Sequence, residues 1–197
     1  MNIGEINKLA KQIFEANKEK GWWDDMNRSP FDTLQLCSTE VAEATEGERK
    51  NLMDDKLPHR PMGEVEIADF FIRAADIAGR YNIPYNPNLA DPVCWFYGTD
   101  TFAAFHLAMN KRIIQFADIA SCTITGHDTK LTSAHYWLNT HPNNFSSVYS
   151  EMVRMCIDFC ERKGYDLWGA IEEKLAFNAV RVDHTREHRA SKNGKKI

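Results

Sequence analysis

The stretch STEVAEATEGERKNLMDDKLPHRPMGEVEIADFFIRAADIAGR, residues 38–80, decides the reading of this chain. It carries two acidic pairs, Glu40-x-x-Glu43 and Glu66-x-x-Asp69, each on a segment whose apolar residues recur at helical spacing. Residues three apart on an α-helix are about 60° apart around the axis, so each pair projects from one edge. Four carboxylates brought together repel, and divalent cations relieve that repulsion. The expected site is a Mg²⁺ cage between two helices, with Mn²⁺ as a substitute, since hard oxygen donors favour these ions over zinc.

Working outward, Leu34, Cys37, Val41 and Ala44 form the apolar stripe of the first acidic helix, which Ser29-Pro30 opens. Leu36, Glu40, Glu43 and Gly47 form the neighbouring stripe, so the acids border the core. Glu46, Glu48, Arg49 and Lys50 read as a solvated end. Residues 51–63 form a polar loop punctuated by Pro58, Pro61 and Gly63, whose Lys56, His59 and Arg60 are either able to meet phosphates or plain surface cations. The second acidic helix spans about 64–80, and on it Glu66, Asp69, Arg73 and Arg80 share one edge. Arg73, one turn beyond Asp69, is a candidate phosphate clamp or an i,i+4 partner of that carboxylate.

An amphipathic helix over 3–19 precedes this pair and ends at Gly21. Trp22 and Trp23 follow, two aromatics able either to roof a pocket and stack on a flat ligand or to plug the core. Beyond the pair, three prolines mark a connection, and a helix is expected over 101–125. A second polar connection, 127–147, contains His127, His135 and His141 as surface or loop residues. Further helices follow at 147–163 and, capped by Asp166, at 167–182. On the last one Lys174, Asn178 and Arg181 fall on one face, two cations and an amide suited to a polyphosphate and a sugar or base. The tail DHTREHRASKNGKKI is basic, and reads as a frayed end, a flap over an anionic ligand or a nucleic-acid arm.

The 197 residues are expected to form one domain with a sizeable core. With 43% hydrophobic and 26% charged residues the chain has the balance of a folded protein, and a net charge of -4 gives no global reason to expect nucleic-acid binding. No apolar run approaches the roughly 20 residues of a membrane span, and MNIGEINKLAKQ lacks the apolar centre of a signal peptide, so a cytoplasmic protein is expected. Five cysteines without a Cys-x-x-Cys read as reduced core residues.

EVAE at 40–43, EIAD at 66–69 with FFIRAADIA behind it, and IEEKLAFNAVR at 171–181 together resemble the MazG-like, all-α nucleoside triphosphate pyrophosphohydrolases. The resemblance covers residues 1–82 and 150–197, and KNGKKI is similar to tails of phage and bacterial members. It implies an all-α helical bundle in which Glu40, Glu43, Glu66 and Asp69 bind Mg²⁺. A ribo- or deoxyribonucleoside triphosphate would be cleaved to the monophosphate and pyrophosphate, with Glu40 and Glu43 as catalytic residues and Glu40 as the expected base. Lys174, Asn178 and Arg181 would contact the nucleotide beside Arg73, with Trp22 and Trp23 toward the base.

The chain departs from that pattern in two ways: Thr39 stands where some members have a second acid, and an insert of about 83–147 separates the motifs. SEMVRMCIDFCERKGYD resembles a worn copy of the second acidic helix with Arg154 in the aspartate's place. This suggests an internal duplication whose two extra helices stand where a partner subunit's would pack, and a homodimer like the dUTPase-like relatives. A di-iron bundle is a poorer match, because it calls for Glu-x-x-His on two helices. The rival from another class is a non-catalytic nucleotide- or nucleic-acid-binding protein working through its basic tail.

Overall fold

The computed structural model describes residues 1–24, 29–90, 101–121 and 134–191. Among them the regular elements are helical: α1 (Ile3–Glu19), α2 (Pro30–Lys50), α3 (Met62–Tyr81), α4 (Phe102–Ser121), α5 (Ala134–Thr140), α6 (Asn143–Lys163), α7 (Leu167–Val180) and α8 (Arg186–Ala190). The boundaries follow local chemistry. Asn2 and Glu5 make a reciprocal capping box on α1, Ser29 caps α2 with Pro30 in the first turn, and Asp166 caps α7 through the Gly169 N–H. Asn51 and Asn82 end α2 and α3 in the left-handed conformation, each returning its N–H to a carbonyl of the last turn.

α3 is the central element, packing against α1, α2, α6 and α7. α4 lies against α2 and α6, so α2, α3, α6 and α4 close a four-helix ring around one core. The extra helix α4 thus stands against α2, the first of the two acidic helices. Glu151 of α6 is buried and paired with Arg112 of α4, while Arg154 turns outward to Asp158 at 2.8 Å. Cys37, Cys156 and Cys160 are free, buried thiols; burial pushes Cys37 up to about 12, which keeps it protonated and inert. No described helix is long and apolar enough to cross a membrane.

Several details differ from the sequence reading. The connection expected over 127–147 contains α5 and the first turn of α6, and His135 on α5 is half-buried with its Nδ1 2.6 Å from the Tyr81 hydroxyl. His127 and residues 122–125 lie outside the described residues. Glu48 is not solvated: its carboxylate accepts from the Tyr165 hydroxyl at 2.6 Å and pairs with Lys163. Arg60 is not a surface cation either, being enclosed by Glu64 and Glu173, each at 2.8 Å.

Two positions make the packing testable. A Cβ on Gly79 would sit 2.2 Å from the Ala10 carbonyl oxygen, so a side chain there would push α1 off α3. Gly79→Ala is expected to lower stability by about 1–3 kcal/mol, the usual cost of overpacking, measured by urea unfolding. Second, His106 is enclosed on α4, its Nδ1 2.7 Å from the Thr45 hydroxyl. Burial lowers its pKa to about 4, with the Glu48 carboxylate opposing and Lys163 adding. The unfolded chain takes up this proton near pH 6.5 and the folded chain only near 4, so this residue's share of stability falls as pH drops through that window. Unfolding followed between pH 4.5 and 7 should therefore be flatter for His106→Phe than for the native chain.

Candidate active site

α2 and α3 run antiparallel through the loop at 51–61, and Gly47 lets them approach: a Cβ there would lie 2.8 Å from Met62 Cβ. This register sets Glu40 opposite Glu66 and Asp69. Glu40, Glu43 and Glu66 each offer a carboxylate oxygen, all within 4.8 Å of one another. Glu40 is 4% and Glu66 5% exposed, whereas Glu43 faces solvent. Burial, with Asp69 close by, pushes Glu66 up to about 9. Burial also raises Glu40, although the Arg73 guanidinium works against it. The donor set is three carboxylate oxygens with one side open, which fits a hard divalent cation.

Two cations already answer these acids. Arg73 donates through Nε to Glu40, across the helix pair, instead of to Asp69 one turn back on its own helix. Lys174 of α7, 4% exposed, pairs with Asp69 at 2.8 Å. Asp69 therefore stands beside the three-glutamate cluster, held by Lys174, and is not a fourth member of it. The structure brings the two acidic motifs and the α7 motif to one groove.

A cavity of about 120 Å³ continues the groove past Asp69 and Arg73. Leu36 and Ile72 give it apolar walls, Trp22 and His184 one side, and Asn178 and Arg181 the α7 side. Trp22 meets the His184 ring edge-on at 5.4 Å. The two tryptophans take different places: Trp23 does not line the cavity but turns into the core against Phe14 and Tyr81. Its Nε1 donates to Asp76 at 3.0 Å, and that buried carboxylate does line the cavity. Asp76 was missed in the sequence although its position gave a signal, seven residues or two turns beyond Asp69. Thr33, seven before Glu40 on α2, was missed too; it is buried in the same lining.

The first part of the tail closes this end of the molecule. Arg186 pairs with Asp24 and donates to the Glu19 carbonyl at 3.0 Å, and Arg189 lies 3.7 Å over the Trp22 ring. Arg181 is held by Asp183 at 2.6 Å and stands over Phe177. The described tail is thus folded onto the body beside the cavity; residues 192–197 lie outside the described residues.

No protein-family model matches this chain, and neither the curated proteins nor the solved structures give a significant match.

Because Arg73 and Lys174 neutralise the acids, each competes with a divalent cation. A +2 ion about 6 Å from a unit positive charge in a watery groove is disfavoured by about 1.4 kcal/mol, a factor of ten. Arg73→Met and Lys174→Met should each bind Mn²⁺ roughly tenfold more tightly than the native chain without nucleotide, read by the loss of free Mn²⁺ signal in spin resonance.

Proposed function

We propose that this protein hydrolyses a nucleoside or deoxynucleoside triphosphate to the monophosphate and pyrophosphate, with Glu40, Glu43 and Glu66 holding Mg²⁺ or Mn²⁺. The observation that carries the proposal is the three-glutamate cluster facing Arg73 and Lys174 at the mouth of an aromatic-sided cavity. Carboxylates alone repel a polyphosphate, and cations alone lack a base for water. Here both charges meet within one groove, beside a space suited to a ring.

A bound divalent cation would neutralise phosphate charge and lower the pKa of the attacking water. The rest falls to the chain's own residues. Arg73 and Lys174 exchange their carboxylate partners for phosphate oxygens, and Arg181 extends that positive edge toward the cavity. Trp22 offers a ring face to the base. Glu40 accepts the proton of the water whose oxygen bonds to the α-phosphorus, while the bond from that phosphorus to the bridging oxygen breaks and pyrophosphate leaves. Glu40 is suited to this because burial raises its basicity and the transfer of Arg73 to phosphate frees its carboxylate.

The test is product analysis with each ribo- and deoxyribonucleoside triphosphate and Mg²⁺. Monophosphate and pyrophosphate should appear in equal amounts, and Glu40→Gln and Glu66→Gln should each lose at least about 10²-fold in kcat, the usual scale for a base or a metal-supporting carboxylate. Cleavage to the diphosphate and phosphate, or activity undiminished in both variants, would overturn the assignment.

A further inference from the structure

We propose that Thr33 is the specificity-determining residue of the cavity and selects an amino-bearing base, cytosine or adenine, over its oxo counterpart. This rests on the nucleotide reading of the groove. Thr33 is 2% exposed, its hydroxyl has no hydrogen-bond partner, and it lines the cavity. A buried helical threonine can return its hydroxyl to the carbonyl three or four residues back. Thr45 on the same helix does so, bonding to the Val41 carbonyl at 2.8 Å, and Thr140 bonds to Tyr136 at 2.7 Å. Thr33 instead leaves a buried hydroxyl unspent beside empty space, an arrangement that a ligand would complete.

Asn178 supplies the second such group. Its Oδ1 is buried without a partner and enters the same lining from α7. The Asp76 carboxylate enters the lining from α3. Besides the Arg73 and Arg181 cations, the lining therefore offers the acceptors of Asn178 and Asp76, with the Thr33 hydroxyl able to donate as well as accept. Cytosine, with its 4-amino group next to N3, and adenine, with its 6-amino group next to N1, each present a donor adjacent to a ring acceptor. Their amino hydrogens suit Asn178 Oδ1, and their ring nitrogen suits the Thr33 hydroxyl. Uracil and hypoxanthine place a carbonyl where the amino group would be, lone pair against lone pair, and an N–H where the ring acceptor would be.

Position agrees with chemistry. Thr33 lies seven residues from Glu40, about 10.5 Å along the helix axis, a separation that leaves room for a sugar between phosphates at the glutamates and a base at Thr33. Leu36 and Ile72 flank the space between. The cavity is well below the roughly 300 Å³ of a pocket that buries a drug-sized ligand, so it suits one ring system with the phosphates outside.

Matched pairs isolate the amino group: dCTP against dUTP and dATP against dITP, each with Mg²⁺, and the four corresponding monophosphates titrated by tryptophan fluorescence. The native chain should favour each amino member at least about tenfold in kcat/KM, since sites that hydrogen-bond a polar edge reject the analogue that cannot return the bond. Thr33→Val, which keeps the shape and removes the hydroxyl, should shrink that ratio several-fold by weakening the amino members alone. Thr33→Ser should retain it, which separates the hydroxyl from a packing role, and Thr33→Ala provides the loss if the valine variant does not fold. An amino-to-oxo ratio near one in the native chain, or a ratio unmoved by loss of the hydroxyl, would overturn the proposal. Monophosphates bound with the amino preference but no triphosphate cleaved would uphold Thr33 and sink the hydrolase. Triphosphates cleaved without that preference would do the reverse.

Discussion

Burying Glu40 and Glu66 against the core costs several kcal/mol per charge unless cations or protons compensate. Arg73 of α3 answers Glu40, the raised pKa of Glu66 lets it keep its proton, and Lys174 of α7 answers the neighbouring Asp69, so the positions of three helices follow. The bond from Arg73 to Glu40 ties α3 to α2 at the groove. Lys174 against Asp69 fixes the rotation of α7 about its axis, which carries Asn178, one turn on, and Arg181, two turns on, to the cavity. Were α7 turned by half a revolution, the same three residues would face solvent. One charge balance therefore both closes the fold here and brings phosphate-seeking cations beside metal-seeking acids.

The antiparallel register of α2 and α3 turns position along the groove into chemistry. At the loop end Gly47 meets Met62 and Gly63 too closely for a side chain. Further along, Glu40 meets Glu66 and Asp69, and at the far end Thr33 and Asp76 share the cavity wall. Each step is seven residues along Gly47, Glu40 and Thr33 on α2 and along Met62, Asp69 and Asp76 on α3, two turns on one face. The metal-seeking glutamates with Arg73 and Lys174 lie midway, and Thr33 and Asp76, with Trp22 for aromatic company, lie at the end that α1 and the tail cover.

The legible part of this arrangement was local. Acid pairs three apart, the apolar stripes of α1, α2, α3, α4 and α6, and the caps at Ser29 and Asp166 are all read within a few residues, where helix geometry alone dictates neighbours. What escaped depended on which helix faces which. Arg73 reads as a phosphate clamp or a partner for Asp69, because only the i,i+4 relation is visible in a sequence; its partner Glu40 lies 33 positions away. Glu48 and Arg60 sat among charges and read as solvated, yet α6 and α7 cover them. α5 was lost in a polar, histidine-bearing stretch whose burial comes from Ala134 and Leu138, two residues in a seven-residue helix. Thr33 gave no signal, since a threonine in the first turns of a helix is ordinary until the cavity beside it is known.

Packing also decides which cations can serve a ligand. At the loop end, Arg60 is surrounded by Glu64, Glu173 and Asp166, and hydrogen bonding from Arg60 first, then His59, holds Glu173 down at about 2. Lys163 is spent on Glu48. These cations staple α7 to the α2–α3 loop and α6 to the end of α2, and each is matched by carboxylates outside the three-glutamate cluster. Arg73 and Lys174 are placed differently: their carboxylate partners are the groups a divalent cation would claim, so its arrival would free both for phosphate. The chain's many charges thus separate by partner into those that hold helices together and the few whose partners can be exchanged, and the second kind gathers at the groove.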